Sequence, residues 1–441
     1  MGRMPGCHMV RRGGAQAYAR LTPAQSVDRL QPSHRPARLS SCLGWCAVWI
    51  GVIVGCAVSF AAVAAEPGYA AGLRAAQQAL EAGRVNEALR LLKAYRPAGN
   101  KPNNPPFEWR HLWYQAHRQA ASNSANPAQH RDVLASLPPD PVASRLFILP
   151  WERKLVSTGT NLMVALFNLD TLELVEEIIA TRRPLDLRPD GYRLLTDGEG
   201  GLQIWDSRAR ALAPMWLAAP TGDWSAAAFL PTDWIAALPS PAGAILLMDV
   251  ATVGPDKLVG QFQAHPRPIG ALAFSPDGTW LASGGADGLI KVWHWQKQRA
   301  LATLRGHQGR VTVLRFSPDS KLLASGSADG TVRLWDVARQ AARATLQGHS
   351  GPIHAVAFTP DGYTLATASA EPVVRLWTVS DGQLVAELQC PEAGAQGVAG
   401  LVFASDGSVL AARAVTGSIR LWRAPKPETI VAADKPSGRG Q

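Results

Sequence analysis

From Val311 to Leu346 the alternation of apolar and polar residues changes direction three times. Val311-Thr312-Val313-Leu314-Arg315-Phe316 reads as a half-buried strand, Pro318-Asp319-Ser320 turns the chain back, and Leu322-Leu323-Ala324-Ser325 is a second strand. Ala328-Asp329-Gly330 predicts a tight turn, because glycine accepts the positive φ that a short hairpin connection demands. Thr331 to Trp335 is then a third strand and Arg343 to Leu346 a fourth, so the segment predicts a small antiparallel sheet.

The pattern keeps time with its neighbours. Trp293, Trp335 and Trp377 stand 42 residues apart, each 28 residues after a histidine (His265, His307, His349) and 19 after a phenylalanine (Phe274, Phe316, Phe358). A fixed period of this length marks a repeat architecture, in which each unit buries its faces against the next. Weaker copies close at Phe167-Asn168, Trp205-Asp206, Met248-Asp249 and Trp422, and carry Phe147, Arg188-Pro189-Asp190-Gly191, Phe229 and Ser405-Asp406-Gly407. The count is seven units, at 167, 205, 248, 293, 335, 377 and 422.

Gly306-His307, Gly348-His349, the turn from Phe274 to Gly278 and Trp335-Asp336 resemble the WD-repeat family, and the likeness extends over about two-thirds of the chain. It implies an all-β main domain over 131–425, a seven-bladed WD-repeat β-propeller. Such a ring removes the open sheet edges that would otherwise aggregate. In the family, the ring closes by lending a leading strand to the last blade, and Asp132 to Leu137 holds the matching register.

The resemblance also implies a hydrogen-bonded chain inside each strong blade: His265, Ser283, Asp287 and Trp293; His307, Ser325, Asp329 and Trp335; His349, Thr367 and Trp377, with Glu371 where Asp is expected. The histidines therefore read as structural and not as metal ligands or proton shuttles, since each belongs to its own blade. Ala264 replaces the usual glycine, Gly394 and Thr416 stand where the last unit would have His and Asp, and the first three units lack the histidine. Those early blades are expected to depend on apolar packing and to be softer. Family partners touch the narrow face, which maps here to Arg310, Thr312 and His354 as partner-binding residues, beside Pro352, Ala286, Ala328 and Ala370.

Charge changes the picture upstream. Of the formal +10, residues 1–41 supply +6, seven arginines against Asp28, which predicts a basic disordered arm. Residues 42–66 follow as a transmembrane helix or signal segment, its apolar heart at 43–65 long enough to span about 30 Å of hydrocarbon. Arginines before it and Glu66 after it predict a cell inner-membrane anchor with the propeller on the extracytoplasmic (periplasmic) side, or export after cleavage near Ala65. Only Cys390 of the five cysteines lies beyond the apolar run, so no intrachain disulfide is available there.

Residues 67–120 read as a helical hairpin, Ala71 to Ala82 and Val85 to Tyr95 around Gly83, followed by a Phe107-Glu108-Trp109-Arg110 helix. The hairpin is similar to a tetratricopeptide unit and needs a neighbour to cover its face; Trp109 and Trp113, four apart, share one helical face and are expected to pack on the hairpin or the propeller. A linker (121–130), the propeller (131–425) and a disordered tail (426–441) complete the order. Membrane segment, hairpin, Phe-Glu-Trp-Arg helix and propeller resemble the extracytoplasmic region of bacterial receptor-type serine/threonine kinases, without a kinase domain.

No nucleophile elbow, metalloprotease helix, phosphate loop or Cys-x-x-Cys pair is present, so no catalytic residue, cofactor or metal is assigned. The arginine arm lacks the interleaved aromatics of nucleic-acid binders. The expectation is a non-enzymatic scaffold, membrane-associated or exported, that binds a protein or peptide in envelope signalling or assembly. The alternative is a small-ligand or enzymatic propeller using its central channel.

Overall fold

A computed structural model describes residues 68–96, 105–121, 133–134, 145–149, 153–158, 163–171, 173–179, 184–188, 193–198, 201–206, 211–217, 226–251 and 258–425. The expected basic arm (1–41), the apolar segment (43–65), most of the linker and the C-terminal tail lie outside these residues. Among the described residues no helix is long and apolar enough to cross a membrane.

Among the described residues the strands form seven four-stranded antiparallel sheets. Six are consecutive in sequence: 145–179, 184–217, 228–263, 269–304, 311–346 and 353–389. The seventh joins Val398–Phe403, Val409–Ala414 and Ile419–Arg423 to a strand from far upstream, Val133–Leu134, which pairs antiparallel with the last of them. The described residues of the lender, Val133 and Leu134, fall inside the six-residue stretch expected from the register. In each sheet the first strand lies innermost and adjoins the first strand of the next, and the seventh meets the first, giving a β-propeller-like ring. The inner strands line the bore, because the strand order puts the alanine- and glycine-rich second strand between two others.

Local chemistry explains the repeating unit. Gly288 and Gly330 sit at φ +76° and +80° in the tight turns, the left-handed region where a side chain is strained. A Cβ on Gly288 would also come within 2.9 Å of the His307 carbonyl oxygen of the next sheet. The second strand of the fifth sheet, Leu322–Ser327, is buried throughout. Small residues at Ala324, Ser325 and Gly326 let the flanking sheets approach, and a Cβ on Gly326 would meet Ile353 of the sixth sheet at 2.4 Å.

Three helices pack against this ring: α1 (Tyr69–Glu81), α2 (Val85–Ala94) and α3 (Phe107–Ala121). Leu73 and Leu80 of α1, Leu92 of α2 and Leu112 of α3 share one apolar core with Val385 of the sixth sheet and Phe403 of the seventh. Gln77 grips the outer edge of the sixth sheet through both backbone groups of Glu387, donating to its oxygen and accepting from its N–H at 3.1 Å. A sheet edge that would be exposed is thereby covered by a helix.

Each residue of the Phe-Glu-Trp-Arg motif has a separate task in docking α3. Phe107 packs edge-on against Phe403 at 5.1 Å. Trp109 is buried and donates to the Leu92 carbonyl at 2.8 Å, closing α2 onto α3. Arg110 donates to the carbonyls of Pro105, Gly407 and Pro425 at 2.9, 2.7 and 2.9 Å, and His111 Nδ1 lies 2.7 Å from the Arg423 oxygen. Trp113, also buried, lies against His117.

Glu108, only 1% exposed, accepts from Thr364 at 2.6 Å and from Tyr69 at 3.3 Å. Burial pushes its carboxyl up to about 7, although the Thr364 hydrogen bond opposes the rise. The folded state therefore holds a proton that the unfolded chain, near 4.5, releases. This contribution to stability is complete below 4.5 and lost as pH rises through about 7. Relative to Glu108→Gln, the wild-type urea midpoint is expected to fall as pH rises from 4.5 to about 7; parallel profiles of the two proteins would contradict the assignment.

Candidate functional site

The residues that most resemble chemistry are the histidine sets of the fourth, fifth and sixth sheets. Each histidine precedes the inner strand, each hydroxyl sits mid-way along the second strand, each acid is in the turn after it, and each tryptophan ends the third. Antiparallel register brings hydroxyl and tryptophan close: Ser325 pairs with Arg333, two residues before Trp335.

In the fourth sheet Ser283 Oγ lies 2.9 Å from both Trp293 Nε1 and His265 Nε2, and His265 Nδ1 is 3.2 Å from the Asp287 carboxylate. In the fifth, Ser325 Oγ is 2.8 Å from Trp335 Nε1 and 2.7 Å from His307 Nε2, with Asp329 3.1 Å beyond. In the sixth, Thr367 Oγ1 stands 2.8 Å from both Trp377 and His349, and Glu371 takes the place of the aspartate at 3.1 Å. The glutamate also receives Arg375 at 2.5 Å and the Ser350 N–H at 3.1 Å.

Donor and acceptor roles in the first two sets follow from what each group can do. Indole only donates and carboxylate only accepts, so the tryptophan donates to the hydroxyl, the hydroxyl to Nε2, and Nδ1–H to the acid. The imidazole is then neutral, and burial holds all three histidines below the ordinary 6.5. Burial alone would raise Asp329 and Glu371, but hydrogen bonds from Thr331 and Gln308 to the first, and from Ser350 and Arg375 to the second, outweigh it and bring both down to about 2.

The seventh sheet solves the same problem differently. With Gly394 and Thr416 at the expected positions, Thr416 donates to the Glu392 carbonyl at 2.8 Å, and Arg420 pairs with the Glu392 carboxylate while lying 5.9 Å from the Trp422 ring. Buried Arg413 reaches Ser157 of the first sheet at 3.0 Å. Arg153 joins Asp170 of its own sheet and Asp406 of the seventh at 2.9 and 2.7 Å. None of these seam contacts is signalled by the repeat pattern.

The three residues mapped to partner contact line a central cavity of about 630 Å³. Thr312 Oγ1 donates to the Ile353 oxygen at 2.6 Å, and His354 is hydrogen-bonded to the Val398 backbone, so both tie their sheet to the next. Arg310 is exposed. The bore also carries Arg315, exposed at the far end of the same strand, and Asp186. Sequence reasoning passed over both; Arg315 was visible as the one charged position in an otherwise apolar and hydroxyl strand. Among the described residues no group of three or more His, Cys, Asp or Glu could hold a metal ion. Burial pushes the Cys390 thiol up to about 12, which leaves it a packing residue and not a nucleophile at neutral pH.

Antiparallel four-stranded sheets in a ring, the fourth to seventh each with a buried tryptophan in the third strand, define a β-propeller-like repeat protein. Residues 256–294, 298–336 and 341–378 match the family model described as WD domain, G-beta repeat, running from the outer strand of the third sheet to the third strand of the sixth. Protein groucho of Drosophila melanogaster is 32% identical over 123 residues, 27% of this chain and 16% of that protein. Periodic tryptophan protein 2 homolog of Mus musculus is 36% identical over 75 residues, 17% of this chain and 8% of that protein. The matched region thus spans under a fifth of either relative. These likenesses support a WD-repeat family assignment and suggest a protein-interaction scaffold.

Two outcomes test the network. Ser325→Ala leaves the indole and imidazole nitrogens buried without a partner and is expected to lower stability by about 2–4 kcal/mol in urea unfolding; a loss below about 0.5 kcal/mol would show the hydroxyl to be dispensable. Because the folded histidines and acids bind fewer protons than their unfolded forms, stability is complete above 6.5 for the former and 4.5 for Glu371. The urea midpoint is therefore expected to fall as pH drops below 6.5 and again as it drops from 4.5 toward 2.

Proposed function

We propose that this chain is a non-enzymatic scaffold, a closed propeller of seven blades that binds a protein or peptide partner outside the cytoplasmic membrane. The apolar segment 43–65 either anchors it there or is removed near Ala65. One observation carries the scaffold reading: in the WD repeats the imidazole, hydroxyl, carboxylate and indole groups are engaged in holding their own sheet. The loops at the ring ends and the bore remain as recognition surfaces. The order of apolar segment, helical clamp and propeller supports kinship with the extracytoplasmic part of bacterial receptor-type kinases and a role in envelope signalling or assembly.

The central cavity supports a second reading, a small-ligand receptor, because Arg310 and Arg315 both line it. The two are separated by experiment. In cells expressing the full chain, protease added to spheroplasts is expected to digest the ring while a cytoplasmic marker stays intact, and crosslinking in the same cells is expected to trap a stoichiometric protein partner. A ring protected with the marker overturns the extracytoplasmic placement. A melting temperature raised by a metabolite, with no protein crosslinked, favours the receptor reading instead.

A further inference from the structure

The ring carries its charge unevenly. Residues 264–346, the fourth and fifth sheets, contain eleven Lys and Arg against five Asp and no Glu, whereas 347–425 contain four against six acids. All five aspartates are engaged within their own loops. Asp287 and Asp329 face the histidines, Asp277 and Asp319 accept from Ser275 and Ser317, and Asp336 accepts from the Arg339 N–H. Only Lys321 and Arg339 of the eleven cations form ion pairs with them, and both pairs lie in turns at the end of the ring away from the histidine loops.

At the other end stand Arg267, in the loop that carries His265, and Arg305 and Arg310, in the loop that carries His307. All three are exposed, and among the described residues none pairs with an acid. The loops are linked through the Gly288 turn of the fourth sheet: the Ala286 N–H donates to the Pro268 carbonyl at 3.0 Å, and Gly288 sits against the His307 and Gly309 carbonyls. Arg310 leans back over the fourth sheet: its Nε lies 2.8 Å from where a Cβ of Gly270 would be, so the bare glycine gives the guanidinium room at the bore mouth. Arg315 continues the positive lining inside, among Gly270, Ala271 and Ala273, whose small size leaves the passage wide. The carboxylate facing this cavity, Asp186, accepts from the Phe229 N–H at 2.8 Å.

Exposed guanidinium groups on neighbouring loops, one of them at the mouth of a cavity, concentrate anions, and their planar forks match carboxylates. Nucleic-acid tracks add aromatic faces on which bases stack, whereas Tyr363, the exposed large aromatic among the described residues, follows a turn at the opposite end. The geometry points to an acidic, extended segment of a partner protein as what this end binds, its carboxylates on Arg267, Arg305 and Arg310 and its chain entering the bore toward Arg315. This rests on the scaffold reading and supplies the chemistry of the partner.

The test uses the full chain and a fluorescein-labelled peptide alternating Glu and Ala, read by anisotropy. Saturable binding is expected that weakens with added salt and falls about tenfold in Arg267→Glu/Arg310→Glu. It should change by less than about twofold in Lys297→Glu/Arg299→Glu, the same charge change at exposed positions of the fourth sheet away from the mouth. Circular dichroism melts establish that both variants fold. Absent saturation, equal losses in the two variants, or stronger binding of an oligonucleotide of equal charge each overturns the inference. In the crosslinking experiment, a partner still trapped by Arg267→Glu/Arg310→Glu sinks this inference and leaves the scaffold reading standing. No partner trapped by either protein, with peptide binding intact, sinks the scaffold reading alone.

Discussion

A hydroxyl buried at the middle of a sheet is tolerable only if every polar atom around it is matched, and three sheets of this ring are organised by that requirement. Ser283, Ser325 and Thr367 each stand between an indole and an imidazole, and the imidazole in turn leans on an acid in the turn beyond. One chain of bonds therefore spans the inner, second and third strands of a sheet. It fixes register, because a slip of one residue would turn the hydroxyl to the opposite face and strand both nitrogens. Alanine and glycine around it follow from the same constraint, since neighbouring sheets must come close enough to exclude water.

Where that network is missing, other contacts take its place. The seventh sheet borrows a strand from upstream at the position where the ring must close, with Val133 and Leu134 pairing with Arg420 and Ile419. Arg413, Arg153 and Arg423 span the seam to the first sheet, the last donating to the Leu169 carbonyl at 2.9 Å. Arg110 of the clamp holds two carbonyls of the seventh sheet's turn and exit, Gly407 and Pro425, and one from its own approach, Pro105. The helices are thus part of how the ring is shut, and the Phe-Glu-Trp-Arg motif reads as a docking device and not as an exposed recognition element.

The consequence for function is one of elimination followed by placement. Groups that look reactive in the sequence are engaged in structure, and what the ring offers outward is shape and charge. That charge lies on the two sheets with the most regular repeats, because their aspartates are drawn inward by the histidines and turns while their arginines are left at the surface. The same bonding that stabilises these sheets gives them an electropositive end.

Much of this architecture was legible in the residues themselves. The 42-residue beat, the Asp-Gly turns and the spacing of His, Ser, Asp and Trp follow from local geometry, since hairpin turns need glycine and alternation needs one buried face. The helical hairpin was readable for the same reason, and so was the register of the lent strand. Which strand faces the bore, that Thr312 and His354 bond to the next sheet, that Arg110 grips Pro425, 315 residues away, and that Arg153 bridges the first and last sheets were not. Periodicity records contacts within a repeat, where sequence separation is constant. Contacts between the ends of the chain occur once, carry no period, and are decided only when the ring closes and brings distant residues within reach.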